Sequence, residues 1–275
     1  MKLRYVLCVL NGIMIGVLAV LLLLWGSSWP FVAVFAGFML AIGVYFLVNR
    51  RMFQLLERED WPALCVWLER RVFVQGRYTA GFTRLLANTY LTLADSAAVR
   101  ELEQKTALAN PNLIEKNALV FGVARLLSKD IAGAALFFSA RLDAAVRVSG
   151  MARKRAFGTS SWLRWYYGFS LLLDRQYSRA SEQFIILINE SSPVPLITGL
   201  SAFLLVDTLS KALVERKAEL LTVAESGRRQ TWKRLPRIRD WNKAVSEACG
   251  EVHAVILLPR LRDAGEWLYT DSGVR

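Results

Sequence analysis

Few residues in this sequence have the types and spacing that catalysis or metal binding needs. The only histidine, His253, has apolar neighbours in a helical pattern and is more typical of a packed or surface side chain than of a general base. The carboxylate pairs Glu57/Glu59 and Glu101/Glu103 are two residues apart, so in a helix they point in different directions. The sequence contains no phosphate-binding loop, dinucleotide glycine fingerprint, Gly-x-Ser-x-Gly or His-Glu-x-x-His motif. We therefore predict that the protein is not an enzyme and uses no metal or cofactor.

The composition predicts a folded and basic protein. Of its 275 residues 54% are hydrophobic, which excludes a disordered chain. Lys and Arg number 35 against 23 Asp and Glu, giving a formal net charge of +12. The three cysteines, Cys8, Cys65 and Cys249, are too few and too scattered for a disulfide framework or a cysteine-rich zinc site. Much of the apolar excess lies in the first fifty residues.

Two uncharged stretches, 5–25 and 29–48, predict a transmembrane helical hairpin over residues 1–50. Each has about 20 residues, enough to cross roughly 30 Å of hydrocarbon as a helix. Residues 26–30, Gly-Ser-Ser-Trp-Pro, suit a tight turn. The flanking basic residues all lie outside that turn: Lys2, Arg4, Arg50, Arg51 and Arg58. By the positive-inside rule both termini are then cytoplasmic.

A cleaved signal peptide over residues 1–28 is the alternative interpretation of the first apolar stretch. Gly26 and Ser28 are small enough for a cleavage site. The apolar run is longer than a usual signal-peptide core of about 7–15 residues, and a second apolar stretch follows at once. We favour the hairpin for that reason.

After residue 50, apolar residues recur at helical spacing and no run alternates like a strand, so the sequence predicts an all-α fold. One pattern, G-x11-A-x3-F, occurs twice, 46 residues apart: Gly122, Ala134 and Phe138, then Gly168, Ala180 and Phe184. Small residues at the first two positions let paired helices approach closely, and the phenylalanine fills the space between pairs. This spacing predicts helix pairs.

The same pattern resembles tetratricopeptide repeats (TPR), most closely in residues 175–184, and the resemblance covers about 80–193. It implies an α-solenoid of antiparallel helix pairs with a peptide-binding groove. The expected organisation is a hairpin at 1–50, a TPR-like domain at 51–226, and a basic linker with C-terminal helices at 227–275. Another α-solenoid or a helical bundle is the alternative.

The resemblance also implies which side chains line the groove and contact a partner: Arg84, Asn88, Trp162, Trp165 and Phe169. Arg84 and Asn88 occupy positions at which chaperone-binding repeats carry two residues of a carboxylate clamp. The other clamp positions do not match, since Val120 and Trp162 replace polar and basic groups. An ordinary surface arginine is the alternative interpretation of Arg84.

The basic segment 228–239 predicts contact with anionic lipid headgroups through Arg228, Arg229, Trp232, Lys233 and Arg234. A solvated linker is the plainer interpretation, and nucleic-acid binding is the least favoured one.

Together these features predict an integral protein of a bacterial cytoplasmic membrane, with its helical domain in the cytoplasm, that acts as a scaffold or adaptor for other proteins. Such repeats resemble those of bacterial membrane-anchored assembly factors. The alternative is a transporter accessory subunit or membrane enzyme. Against it, the apolar stretches contain no ionisable residue beyond Tyr5, Cys8 and Tyr45.

Overall fold

In a computed structural model, the described residues are 29–147, 153–190 and 194–270. These residues are helical nearly throughout and include no β-strand, which confirms the all-α prediction. The chain divides into two compact units, 1–76 and 77–275. The first stretch of the predicted hairpin lies outside the described residues. The predicted domain boundaries at 50 and 226 stay predictions.

The described part of the first unit consists of α1 (Trp29–Val48), α2 (Arg50–Glu57), α3 (Trp61–Glu69) and a π-helical turn, Arg70–Val74. The second predicted stretch is thus one helix of 20 residues. Its segment 37–48 meets α2 at an angle of 62°, and Asn49 at the bend donates from Nδ2 to the carbonyl of Tyr45. Several large apolar side chains of α1 are at least 60% exposed: Val34, Phe38, Leu40 and Leu47.

By length and composition, one helix in the described part of the chain could cross a membrane, or two if the bent pair 37–48 and 50–57 counts as a broken span. The single helix is Pro195–Ala212, and 67% of it is buried inside the protein. A core helix of a globular domain has the same properties. This helix therefore gives little support to an additional span.

The second unit contains thirteen labelled helices in its described residues: α4 (Ala80–Thr92), α5 (Ser96–Ala109), α6 (Asn112–Lys116), α7 (Ala118–Leu127), α8 (Ile131–Arg147), α9 (Arg153–Leu173), α10 (Tyr177–Asn189), α11 (Pro195–Leu204), α12 (Ser210–Ala212), α13 (Lys217–Arg234), α14 (Ile238–Ala248), α15 (Val252–Val255) and α16 (Leu258–Thr270). Shorter π and 3-10 turns, Leu205–Leu209 and Val214–Arg216, lie on either side of α12.

Three connections in this unit repeat one backbone turn, between α4 and α5, α7 and α8, and α9 and α10. The middle residue of each is in the left-handed region: Ala94 at φ 58°, Lys129 at φ 63° and Arg175 at φ 60°. In the second turn, for example, the amides of Lys129 and Asp130 donate to the carbonyls of Leu126 and Arg125. This hydrogen-bonding pattern satisfies the free carbonyls at the end of one helix, and the next helix starts at once. The result is three helix pairs with very short connections.

The residues of the repeated spacing meet in space in both pairs. A side chain at Gly122 would overlap the ring of Phe138, and a Cβ at Gly168 would lie 3.1 Å from the Phe184 ring. Ala134 and Ala180 are fully buried, as are both phenylalanines. Because glycine has no side chain, each phenylalanine packs directly on the preceding helix. The close approach of paired helices that this spacing predicts is therefore confirmed, with the difference that each phenylalanine packs on the glycine of its own pair.

The C-terminal helices share a core with α11. Trp241 of α14 is buried, and a Cβ at Gly199 of α11 would lie 2.8 Å from its ring. The indole Nε1 of Trp241 donates to the carbonyl of Leu261, which fixes α14 against α16. This packing brings residues 238–257 back towards the helix pairs.

Candidate functional site

A polar cavity of about 400 Å³ lies in the second unit, where α14 and α15 approach the helix pairs. Its walls come from α4, α6, α7, α9 and α14–α15, parts of the sequence up to 169 residues apart. Arg84 and Lys116 form its basic wall, and Glu247, Glu251 and His253 form its acidic wall. An indole, amides and aliphatic groups complete the lining. The lining residues are Arg84, Asn88, Lys116, Asn117, Ala118, Leu119, Val120, Trp162, Val194, Glu247, Ala248, Glu251, Val252 and His253.

Arg84 is held in place on the basic wall by the end of α6. Its Nε donates to Oδ1 of Asn117 at 3.3 Å, and its Nη2 donates to the carbonyl of Lys116 at 3.1 Å. Asn117 is itself buried, and its Nδ2 donates to the carbonyl of Leu113 at 3.0 Å. Two of the three guanidinium nitrogens are thereby fixed. The third, Nη1, faces across the cavity.

Glu251 stands opposite Arg84 and is shared between it and His253. One carboxylate oxygen is 4.0 Å from Arg84 Nη1, and the other is 3.4 Å from His253 Nε2. The hydrogen bond from His253 and the charge of Arg84 lower the pKa of Glu251 below its ordinary value. Glu251 is therefore ionised at neutral pH.

Tyr166 connects this acidic wall to the core of the helix pairs. Its hydroxyl donates to the carbonyl of His253 at 2.6 Å and lies 3.4 Å from His253 Nδ1. Burial raises the pKa of Tyr166 well above its ordinary value, so the hydroxyl stays protonated and remains a donor. Its ring stacks on Phe138 at a centroid distance of 5.5 Å. The position of His253 thus depends on the same packing that forms the helix pairs.

Three of the five predicted partner-binding residues, Arg84, Asn88 and Trp162, are brought together in this cavity. Trp165 is not: it is fully buried and stacks on Phe169 at 5.0 Å. Phe169 is half-buried and does not line the cavity. We therefore correct the prediction for Trp165, because a side chain without exposed surface has nothing to offer a partner.

The sequence prediction missed the acidic wall, formed by Glu247, Glu251 and His253. His253 is buried, as expected for a packed histidine, but it also faces the cavity. These residues belong to the C-terminal helices, which lie outside the repeated spacing. The one available signal was the presence of two carboxylates and the single histidine within seven residues.

The predicted lipid contact is corrected for Arg228, which is buried, whereas for the half-buried Trp232 it stays a prediction. The guanidinium of the buried Arg228 lies 4.7 Å from the ring centroid of Trp232 and donates to the carbonyl of Leu268. Trp232 Nε1 donates to the same carbonyl at 3.0 Å. Carbonyls at a helix C-terminus lack partners within the helix, and these donors satisfy them. Arg229, Lys233 and Arg234 are exposed.

In the described part of the chain, no group of three or more His, Cys, Asp or Glu side chains has metal-binding geometry. The cavity wall contains positively and negatively charged side chains, amide groups and one indole. Such a site can hold a ligand through ion pairs and hydrogen bonds.

Together, the fold and this cavity define an all-helical protein of short-turn helix pairs with a cavity lined by charged and polar side chains. Residues 98–270 match the family described as "Uncharacterised Treponema protein". This match covers more than half of the chain, so the chain belongs to that family. A protein of Treponema pallidum (strain Nichols), described as "Uncharacterized protein", is 26% identical over 288 residues, with 98% of this chain and 88% of that protein covered.

Proposed function

We propose that this protein is a membrane-anchored, TPR-like scaffold that binds a segment of another protein in the polar cavity. The observation that carries the proposal is that Arg84, Asn88 and Trp162, from two separate helices, line the same cavity. The sequence predicts all three as partner contacts. A cavity is a more suitable binding site than a flat surface because it removes more of the ligand from water.

The three repeated turns and the two glycine–phenylalanine contacts support a TPR-like solenoid. Two of the three pairs bury a phenylalanine against a glycine of their first helix. Repeats of this kind form rigid, extended surfaces that suit protein recognition.

The exposed apolar residues of α1 support a membrane anchor. A helix of 20 residues spans about 30 Å, and no charged residue interrupts this one. Large side chains such as Phe38 and Leu40 would be unfavourable in water, whereas lipid can cover them. Anionic headgroups are then contacted by Arg229, Lys233 and Arg234, which are exposed, and by the half-buried Trp232.

The membrane topology gives the first testable prediction. Reporter fusions after Arg51 and after Arg275 should both give cytoplasmic signals, because every basic residue flanking the apolar stretches lies outside the turn. A periplasmic signal at either point would contradict this topology. A mature N-terminus at Trp29, read by mass spectrometry of the purified protein, would instead establish the signal-peptide alternative.

Site-specific photocrosslinking tests whether the cavity binds protein. A benzoyl-phenylalanine in place of Leu119, which lines the cavity, should give a protein adduct in intact cells. Arg84→Glu should abolish that adduct, since it reverses the charge of the fixed guanidinium. The matched control is the same photoprobe at Leu108, which is 89% exposed on α5, and any adduct there should not respond to Arg84→Glu.

The scaffold proposal fails if position 119 gives no adduct that depends on Arg84. An Arg84-dependent adduct with a small metabolite instead of a protein would favour the alternative function, a membrane enzyme or transporter accessory subunit.

A further inference from the structure

The cavity is electrically balanced, although the chain as a whole is basic. Its walls contain two basic residues, Arg84 and Lys116, and two acidic ones, Glu247 and Glu251. Arg84 and Glu251 face each other at 4.0 Å, a separation at the outer limit of an ion pair. Lys116 and Glu247 are exposed and have no ion pair among the described residues. The cavity therefore presents one unpaired cation and one unpaired anion.

This arrangement disfavours ligands that have no charge or charge of one sign. A purely acidic segment would meet Glu247 and Glu251, while a purely basic one would meet Arg84 and Lys116, and like charges at close range repel each other. A neutral segment would cover Lys116 and Glu247 without pairing either, which leaves desolvated charges uncompensated. A ligand that carries a positive and a negative charge avoids both the like-charge repulsion and the unpaired desolvated charges.

Asn88 indicates that the ligand contains peptide groups. Its side-chain oxygen is buried and has no hydrogen-bond donor among the described residues. Its amide lies in the cavity wall, and a peptide group is complementary to an amide because each carries one kind of donor and one kind of acceptor. Because this oxygen has no exposed surface, a bound main chain reaches it only when the Asn88 side chain turns towards the cavity.

We propose that the cavity recognises an amphoteric peptide segment, one that carries an acidic and a basic side chain close together. The carboxylate lies towards Arg84 and Lys116, and the cation lies towards Glu247 and Glu251, beside the indole of Trp162. An aromatic face adds attraction for a cation to that of the carboxylates. This inference rests on the proposed function, since it specifies the chemistry of the protein segment bound there.

Peptide selection on the full-length protein in nanodiscs tests the inference. A display library of random heptapeptides is selected against the wild type, Lys116→Glu and Glu247→Lys. The wild-type pool should be enriched in both acidic and basic residues. Lys116→Glu should lower the enrichment in acidic residues about fivefold. Glu247→Lys should lower the enrichment in basic residues by a similar factor. Both effects are those expected for the loss of a partly exposed ion pair.

The controls make the same charge changes away from the cavity. Lys217→Glu, at the exposed start of α13, and Glu266→Lys, on the exposed side of α16, should give pools like that of the wild type. Circular dichroism checks that every variant is folded. If a charge reversal impairs folding, Lys116→Met and Glu247→Gln replace it, with smaller shifts in the same directions.

The outcomes separate this inference from the proposed function. A pool enriched in one charge sign, or one that does not respond to the cavity variants, overturns the amphoteric peptide while peptide binding itself stands. Failure to select any peptide on the wild type overturns both.

Discussion

Phe184→Ala should lower the free energy of unfolding by about 3–5 kcal/mol, the range for removing a large aromatic side chain from a core. Phe184 is fully buried, packs on Gly168 and lies 6.2 Å, ring to ring, from Trp165. Gly168 has no side chain that could move in to fill the space left by the ring. Urea unfolding of the purified full-length protein, followed by circular dichroism, measures the effect.

The control for Phe184→Ala is Leu108→Ala, which removes an apolar side chain that is almost fully exposed. We expect that variant to stay within about 0.5 kcal/mol of the wild type. Equal stability of the Phe184→Ala variant would mean that the ring does not fill the space between helices, and the repeat assignment would fail with it.

The helix pairs could be predicted from the sequence because their contacts are local. Gly122 and Phe138 are 16 residues apart, as are Gly168 and Phe184, and a turn of three residues joins the two helices of each pair. With so short a turn, spacing along the chain nearly determines spacing between the helices. Two matching sets of small and aromatic residues are therefore enough to predict the helix pairs.

The acidic wall of the cavity could not be predicted because its contacts are distant in sequence. Tyr166 and His253 are 87 residues apart, and their hydrogen bond depends on how α14–α16 pack on α11. No repeated spacing extends into these helices. Periodicity identifies the buried face of a helix but does not say which other helix covers it.

The burial of Arg228 could not be predicted for the same reason, because its contacts are also distant in sequence. In the sequence it is one of six basic residues within twelve positions, a composition typical of a solvated or lipid-facing segment. In the structure its guanidinium lies at the end of α16, which begins thirty residues later in the chain. A run of basic residues predicts exposed side chains only where no unpaired carbonyls of a distant helix terminus accept hydrogen bonds from them.

The roles of Trp162 and Trp165 could not be separated by spacing either. They are three residues apart in α9 and so lie on the same side of the helix. Their depths differ: Trp165 is fully buried between Phe169 and Phe184, while Trp162 is half-buried at the cavity beside His253. Substituting each of them in turn distinguishes the two roles.

Trp165→Ala should lower the free energy of unfolding by about 3–5 kcal/mol, whereas Trp162→Ala should cost clearly less and should abolish the Arg84-dependent crosslink at position 119. Trp165→Phe is the conservative control. The phenylalanine keeps a ring against Phe169 and removes an indole N–H that has no acceptor among the described residues. The Trp165→Phe protein should therefore be much more stable than the Trp165→Ala protein and close to the wild type. Urea unfolding and crosslinking of the full-length variants measure the two effects. A stable Trp165→Ala protein that loses the crosslink would assign partner binding to Trp165 and contradict its place in the core.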